Sequence, residues 1–196
     1  MENGKNNCLG LQLGFLYVIT AAQVAALVLE FNMNDKIKTV CNYLENISIE
    51  YEIIEHSPAS TIEECKKIEE IINDTICKNL LLRTTNGAVH YLLVLRNDKR
   101  FVTGEISKKL GSSRLSFASG EEMLRMLNTT PGSLSILSLI FNENKDVTLA
   151  IDKDVTENEF FCCHPCDNTA TLKIKTSDIL SVYLPSLGIK PTIIDV

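Results

Sequence analysis

Apolar and polar positions along this chain change period several times, and each change marks an element. Between Lys36 and Ile47, the residues Ile37, Val40, Cys41 and Leu44 recur at helical spacing. Tyr51 to Glu55 alternates apolar with acidic residues and predicts a strand. Thr61-Ile62-Glu63-Glu64 has the form of a capping box, in which the threonine oxygen takes the N3 amide and Glu64 reaches back; a helix is predicted from there to about Ile72. Leu80 to Thr84 and His90 to Leu95 read as strands joined by a turn at Asn86-Gly87, a pair suited to the positive φ angles of a tight hairpin.

Further along, Gly104 to Leu110 and Gly120 to Leu127 read as short helices separated by a short strand or loop at Ser113 to Ala118. Pro131-Gly132-Ser133 is a turn. Leu134 to Phe141, Val147 to Ile151 and Thr169 to Lys175 alternate as strands do. Thr176 is expected to cap a last helix running to about Leu184, and Thr192 to Asp195 suits a closing strand. Hairpins mixed with helices predict an α+β domain with a mixed, mainly antiparallel sheet.

The N-terminal segment changes this picture. Leu9 to Phe31 carries one charge, Glu30, and is long enough to cross a bilayer. Three readings stay open: a membrane or packing helix, a signal-like segment with Lys5 as a thin basic region, or translation that starts at Met33. The chain is therefore divided into a hydrophobic extension, residues 1–32, and a folded domain, residues 33–196. A membrane is a partner only if the extension is native.

The formal net charge of −6 argues against non-specific binding to duplex nucleic acid. The charge is uneven: from Lys78 to Arg114 eight basic residues face two acidic ones, a local +6 that leaves −12 elsewhere. Such a face suits a partner presenting a few phosphates, and it also suits an ordinary solvated surface. The 7 cysteines form no secretory framework and read as reduced thiols of a cytoplasmic protein. Cys163-His164-Pro165-Cys166 has the spacing of a zinc or redox pair. No second pair completes a zinc site, and the β-rich run after it supplies no helix N-terminus to activate a thiol.

Two segments carry the candidate chemistry. Lys78-Asn79 stands at the mouth of an apolar strand, and His164 precedes Asp167 and Asn168 in a proline-containing turn. His56 and His90 read as surface or packing residues. No Ser-His-Asp order, paired carboxylates or phosphate-cradling glycine loop appears.

At these residues the chain resembles the YbaK / prolyl-tRNA synthetase-associated editing-domain family, and within it the freestanding Ala-tRNA(Pro) deacylases of the ProX or PrdX type. Four ordered blocks carry the likeness: Lys78 to Arg83, Ser113 to Ser119, Thr130-Pro131-Gly132-Ser133, and His164-Pro165 with Asp167 to Thr171. The resemblance implies a YbaK-like fold, a sheet or partial barrel with surrounding helices. It implies metal-independent hydrolysis, without cofactor, of alanine wrongly esterified to proline tRNA. Lys78 and His164 are then the catalytic residues. Asn79, Gly132, Ser133, Asp167 and Asn168 bind the substrate, and Arg83 and Arg114 meet the acceptor end. Prolyl-tRNA synthetase is a candidate partner. An aminoacyl ester is reactive enough that orientation and electrostatic stabilisation suffice, and a small pocket sorts by size.

Two departures bear on specificity. The family loop P-G-S-V-S-P-F-G is Pro131-Gly132-Ser133-Leu134-Ser135-Ile136-Leu137-Ser138 here, which is expected to loosen or reshape the pocket. The family's H-P-N-x-N is His164-Pro165-Cys166-Asp167-Asn168. Two other readings remain: a catalytically weak tRNA- or synthetase-binding module of the same fold, and a cysteine-based zinc or redox protein.

Overall fold

The computed structural model describes residues 35–59 and 62–196. The apolar N-terminal segment, the start at Met33 and the Thr61 cap lie outside the described residues. Among the described residues no helix is long and apolar enough to cross a membrane.

Helix α1 (Asp35–Asn46) buries Ile37, Val40, Cys41 and Leu44, the stripe its spacing predicts. Strand β1 (Tyr51–Glu55) and helix α2 (Ile62–Ile72) follow. β2 (Lys78–Thr84) and β3 (His90–Leu95) form the predicted hairpin, with Gly87 at φ 68° in its turn. Then come α3 (Thr103–Lys109), β4 (Leu115–Phe117), α4 (Gly120–Leu127), β5 (Val147–Asp152), α5 (Lys153–Glu157), β6 (Phe160–Cys163) and β7 (Ala170–Lys175). The last helix, α6, is continuous in three stretches: Thr176–Asp178 and Leu184–Ser186 in α form, with Ile179–Tyr183 in π form between them. β8 (Thr192–Ile194) closes the chain.

The strands form two sheets. One is antiparallel, in the order β1-β7-β6. The other is mixed, in the order β4-β2-β3-β5-β8, with β3, β5 and β8 parallel to one another. A parallel bridge between Ile76 and Cys162 joins them just before β2 begins. On one face of the larger sheet Leu82, Leu93, Leu95, Leu115 and Ala150 pack with Ile106 of α3 and Ile194. Alternation sends Leu81, Leu92, Val94 and Ile151 to the opposite face, where they too are fully buried.

Two expectations fail locally, and two elements had none. Leu134 to Phe141 is not a strand: Ile136–Phe141 is a 3₁₀ helix. Its serines decide this, because Ser135 Oγ accepts from Leu137 N at 3.1 Å and the Ser138 hydroxyl donates to the Ser135 carbonyl, bonds that compete with a ladder. Thr176 does not cap α6. Lys175 occupies the N-cap, and the Thr176 hydroxyl is buried without a hydrogen-bond partner among the described residues. α5 and β6 carry no clear periodic signal, and β6 is recognisable only through its pairing with β7.

Candidate active site

β2 starts just after the bridge that joins the two sheets, and its first two residues, Lys78 and Asn79, border a cavity at that junction. The cavity, of about 170 Å³, is lined by Lys78, Asn79, Asn97, Gly132, Leu134 and His164 together with Cys65, Ile76 and Cys77. Segments more than eighty residues apart thus converge on one small chamber. Among the described residues its lining includes one ammonium group and no carboxylate.

The Lys78 ammonium donates to the Lys99 carbonyl at 3.1 Å, which leaves two of its three N–H groups for other acceptors. Asn79 Nδ2 donates to the Cys77 carbonyl at 3.0 Å, while its Oδ1 is buried with no hydrogen-bond partner among the described residues. An orphaned acceptor on a cavity wall suits a ligand that brings a donor.

Gly132 owes its place to a turn. Ser133 N bonds to the Thr130 carbonyl at 3.0 Å, Pro131 holds the second position, and Gly132 has φ 88°. That is the pattern of a type II turn, which requires positive φ at its third residue. A side chain on Gly132 would meet Asn168 Nδ2 at 3.9 Å, so strain rather than space forbids it. The loop beyond is braced, not loose: the buried Tyr183 hydroxyl bonds to the carbonyls of Ile136 (3.2 Å) and Leu137 (3.0 Å). Ile136 and Leu137 are themselves fully buried, and Leu134 is the residue of this loop that reaches the cavity beside Gly132.

His164 opens the connection between β6 and β7. Its Nδ1 lies 2.8 Å from the Ala170 carbonyl and 3.3 Å from Thr171 Oγ1. Carbonyls only accept, so Nδ1 carries the proton and Nε2 keeps a lone pair. The ring is buried, and burial lowers its pKa below the usual histidine value, so the neutral form prevails at pH 7. His56, read from sequence as a surface or packing residue, belongs to this arrangement. Its Nδ1 donates to the Ser57 carbonyl at 2.9 Å, and its Nε2 accepts from Thr171 Oγ1 at 3.0 Å. Only strand register places it there, because β1 ends on β7 with Glu55 opposite Ala170.

The other sequence candidates do not line the chamber. Ser133 is buried in the type II turn. Asp167 Oδ1 accepts from Thr169 N at 3.0 Å and from the Thr169 hydroxyl, an Asx turn that shapes the His164 loop. Asn168 Nδ2 donates to the Ala59 carbonyl at 3.4 Å, tying that loop to the end of β1. Arg83 stands 3.6 Å from Glu122, which His90 also contacts at 3.1 Å. Arg114 is exposed, and its backbone carbonyl accepts from Thr85.

The cysteines gather more closely than their spacing predicts, since Cys77 N bonds to the Cys162 carbonyl at 2.9 Å. Burial pushes the Cys163 thiol up to about 12 and those of Cys77, Cys162 and Cys166 upward too. They are protonated at neutral pH, poor as nucleophiles and poor as metal ligands. Among the described residues, no group of histidine, cysteine and carboxylate side chains is placed to hold a metal ion.

Comparison with known proteins bears on family and fold. Residues 56–182 match the model of the aminoacyl-tRNA editing domain. The prolyl-tRNA editing protein ProX of Acetoanaerobium sticklandii is 35% identical over 145 residues, 74% of this chain and 88% of that one. The prolyl-tRNA synthetase associated domain-containing protein 1 of Danio rerio is 30% identical over 145 residues, covering 73% of this chain and 78% of its own length. A crystal structure of a proposed trans-editing enzyme for prolyl tRNA synthetase superposes with a TM-score of 0.64 at 15% identity, over 84% of this chain and 99% of that one, and shares the fold. With this match over most of its length, and with residues from three of the four sequence blocks lining one chamber, the chain belongs to the aminoacyl-tRNA editing domain family.

Proposed function

We propose that this protein is a trans-acting aminoacyl-tRNA deacylase that removes a wrongly attached amino acid, alanine in the first instance, from proline tRNA. The observation that carries the reading is the convergence of Lys78, Asn79, Gly132 and a neutral His164 on one small cavity with no activated nucleophile. Residues 33–196 form the editing domain, which acts in the cytoplasm, where prolyl-tRNA synthetase would be its partner.

Each group has a task that its chemistry suits. The Lys78 ammonium neutralises a phosphate at the 3′ end and holds the terminal adenosine at the cavity mouth. The free Oδ1 of Asn79 accepts a hydrogen bond from the α-ammonium group. The backbone at Gly132 approaches the ester closely because no Cβ intervenes. His164 Nε2 accepts a hydrogen bond from the attacking water or from the neighbouring ribose hydroxyl. Attack on the ester carbon expels the ribose oxygen, which takes up a proton, and yields free amino acid and tRNA. Positioning and charge stabilisation supply the acceleration. Leu134 and Ile76 limit the side chain that enters, so small residues are cleaved and larger ones rejected.

The test is alanine release from alanyl-tRNA(Pro), with cysteinyl, seryl and prolyl esters of the same tRNA alongside. The wild type is expected to cleave the alanyl ester fastest, and Lys78→Ala to lose at least about 100-fold in kcat/KM, the loss expected of a group that holds charge in the reacting complex. Undiminished activity in Lys78→Ala would overturn the assignment.

A further inference from the structure

The geometry points to an aromatic platform, built from Phe117 and Phe101, that stacks the unpaired nucleotides preceding the esterified adenosine. This rests on the deacylase reading but adds a binding site outside the cavity. Phe117 is 57% exposed on the short strand β4. Its ring lies 5.3 Å from that of Phe101 at 50°, so one aromatic face is supported from behind and the other is open to solvent.

Register places this pair relative to the cavity. Phe117 is paired with Leu82, and Lys78, Leu80 and Leu82 point to the same side of β2. Leu80 and Phe101 pack against the same apolar cluster as Leu82. The platform therefore shares a sheet face with Lys78, about 13 Å along the strand from it, with a leucine between. A strand of nucleic acid whose last phosphate is held at Lys78 runs naturally over these rings.

The surroundings select the occupant. Exposed Arg100 adjoins Phe101, and exposed Lys108 lies on α3, which packs on this face through Ile106. An exposed ring with exposed cations on neighbouring elements is the material of single-strand recognition, where stacking is tolerant of base identity and cations follow the backbone. An apolar protein partner would gain nothing from those cations.

Phe117→Ala, Phe117→Trp and Phe101→Ala are compared on two esters of one amino acid: full tRNA, and adenosine alone. Affinity is measured in parallel for an uncharged RNA hairpin with an unpaired 3′ tail and for the same hairpin without it. Phe117→Ala is expected to lower kcat/KM on the tRNA by about 5- to 100-fold, mainly through KM, and to weaken tailed RNA similarly. The loss should be confined to tailed substrates, and Phe117→Trp should retain wild-type values. Equal losses on tRNA and adenosine esters, or unchanged tRNA kinetics and RNA affinity in Phe117→Ala, would overturn the platform. If the wild type grips tailed RNA through Phe117 yet cleaves neither ester, the deacylase reading fails while the platform stands.

Discussion

His56 and His164, 108 positions apart in the chain, hold their rings 5.7 Å apart and share a single hydroxyl, that of Thr171. Donors and acceptors run in one direction through the set. His56 gives its Nδ1 proton to the Ser57 carbonyl, so its Nε2 must accept from Thr171. The Thr171 oxygen is left to face the Nδ1–H of His164, which is shared with the Ala170 carbonyl. His164 is thereby held in one tautomer, with its basic nitrogen free.

Removing the hydroxyl should therefore cost positioning rather than binding. Thr171→Val keeps the shape of this buried residue but leaves two ring nitrogens a partner short. A net hydrogen bond is worth about 1 kcal/mol, so kcat should fall about 5- to 10-fold with KM little changed, and Thr171→Ser should restore it. The pH profile supplies a second check. Because burial depresses the His164 pKa, wild-type activity should stay level from pH 8 to the ordinary histidine value near 6.5 and fall only at lower pH. The linked stability has the same sign: it is complete above the unfolded value and lost as pH drops through the lower folded one. A wild-type profile already falling above pH 7 would contradict the neutral, buried ring.

Gly132 makes a sharper claim on the backbone. Any other residue at φ 88° is strained, so Gly132→Ala should cost about 1–2 kcal/mol and lower Tm by about 2–8 °C. Activity should fall further than stability explains, because the turn sets the cavity wall. Pro131→Ala, which keeps the turn geometry accessible, is the control and should retain most activity. Thermal unfolding beside kcat/KM for both variants separates the two effects.

How much of this was readable beforehand depends on the kind of signal. α1, the Asn86-Gly87 hairpin and α4 were legible because each rests on local periodicity or turn chemistry. The segment from Leu134 to Phe141 was misread because apolar content resembles a strand until Ser135 and Ser138 satisfy the backbone locally. Lys78 and His164 stood out by their local setting, but only the family blocks gave them a task. His56 could not be found, since its role exists only once β1 and β7 are in register. The basic stretch was the least reliable sign. Lys99, Arg96, Arg83 and Lys109 are engaged with Asp152, Asp98, Glu122 and the Asp195 carbonyl, and net charge along a sequence cannot reveal such pairing.

Glu122 illustrates a pH-dependent structural contact. It closes a capping box on α4 with Ser119: its carboxylate accepts from Ser119 N at 2.7 Å, and Ser119 Oγ accepts from Glu122 N at 3.2 Å. The bond from the Ser119 backbone, followed by that from His90, pulls the Glu122 pKa down to about 2 from an ordinary 4.5. A depressed carboxyl stabilises the fold above its unfolded value and loses that contribution as pH falls through the folded one. Glu122→Gln should cost about 1–2 kcal/mol at pH 7, allowing for its partial exposure, and progressively less between pH 4.5 and 2. Urea unfolding of both proteins across that range tests the convergence, and a pH-independent gap would point to packing instead.

Lys99 separates structural cations from those available to a substrate. Its ammonium lies 2.9 Å from Asp152, which is fully buried, 2.8 Å from Asp154 and 2.8 Å from the oxygen of Val196. The same residue's carbonyl receives the Lys78 ammonium. Lys99→Met keeps the aliphatic stem but leaves the Asp152 carboxylate buried and unpaired. Breaking a buried pair from one side costs about 3–5 kcal/mol, so a Tm loss of about 6–20 °C is expected. The salt dependence of tRNA affinity should remain that of the wild type, because this charge is already neutralised within the protein. Lys78→Met should do the reverse, flattening the salt dependence with a smaller change in Tm. Measuring both quantities on both variants distinguishes the two lysines, and a flattened salt slope in Lys99→Met would show that this cation reaches the nucleic acid after all.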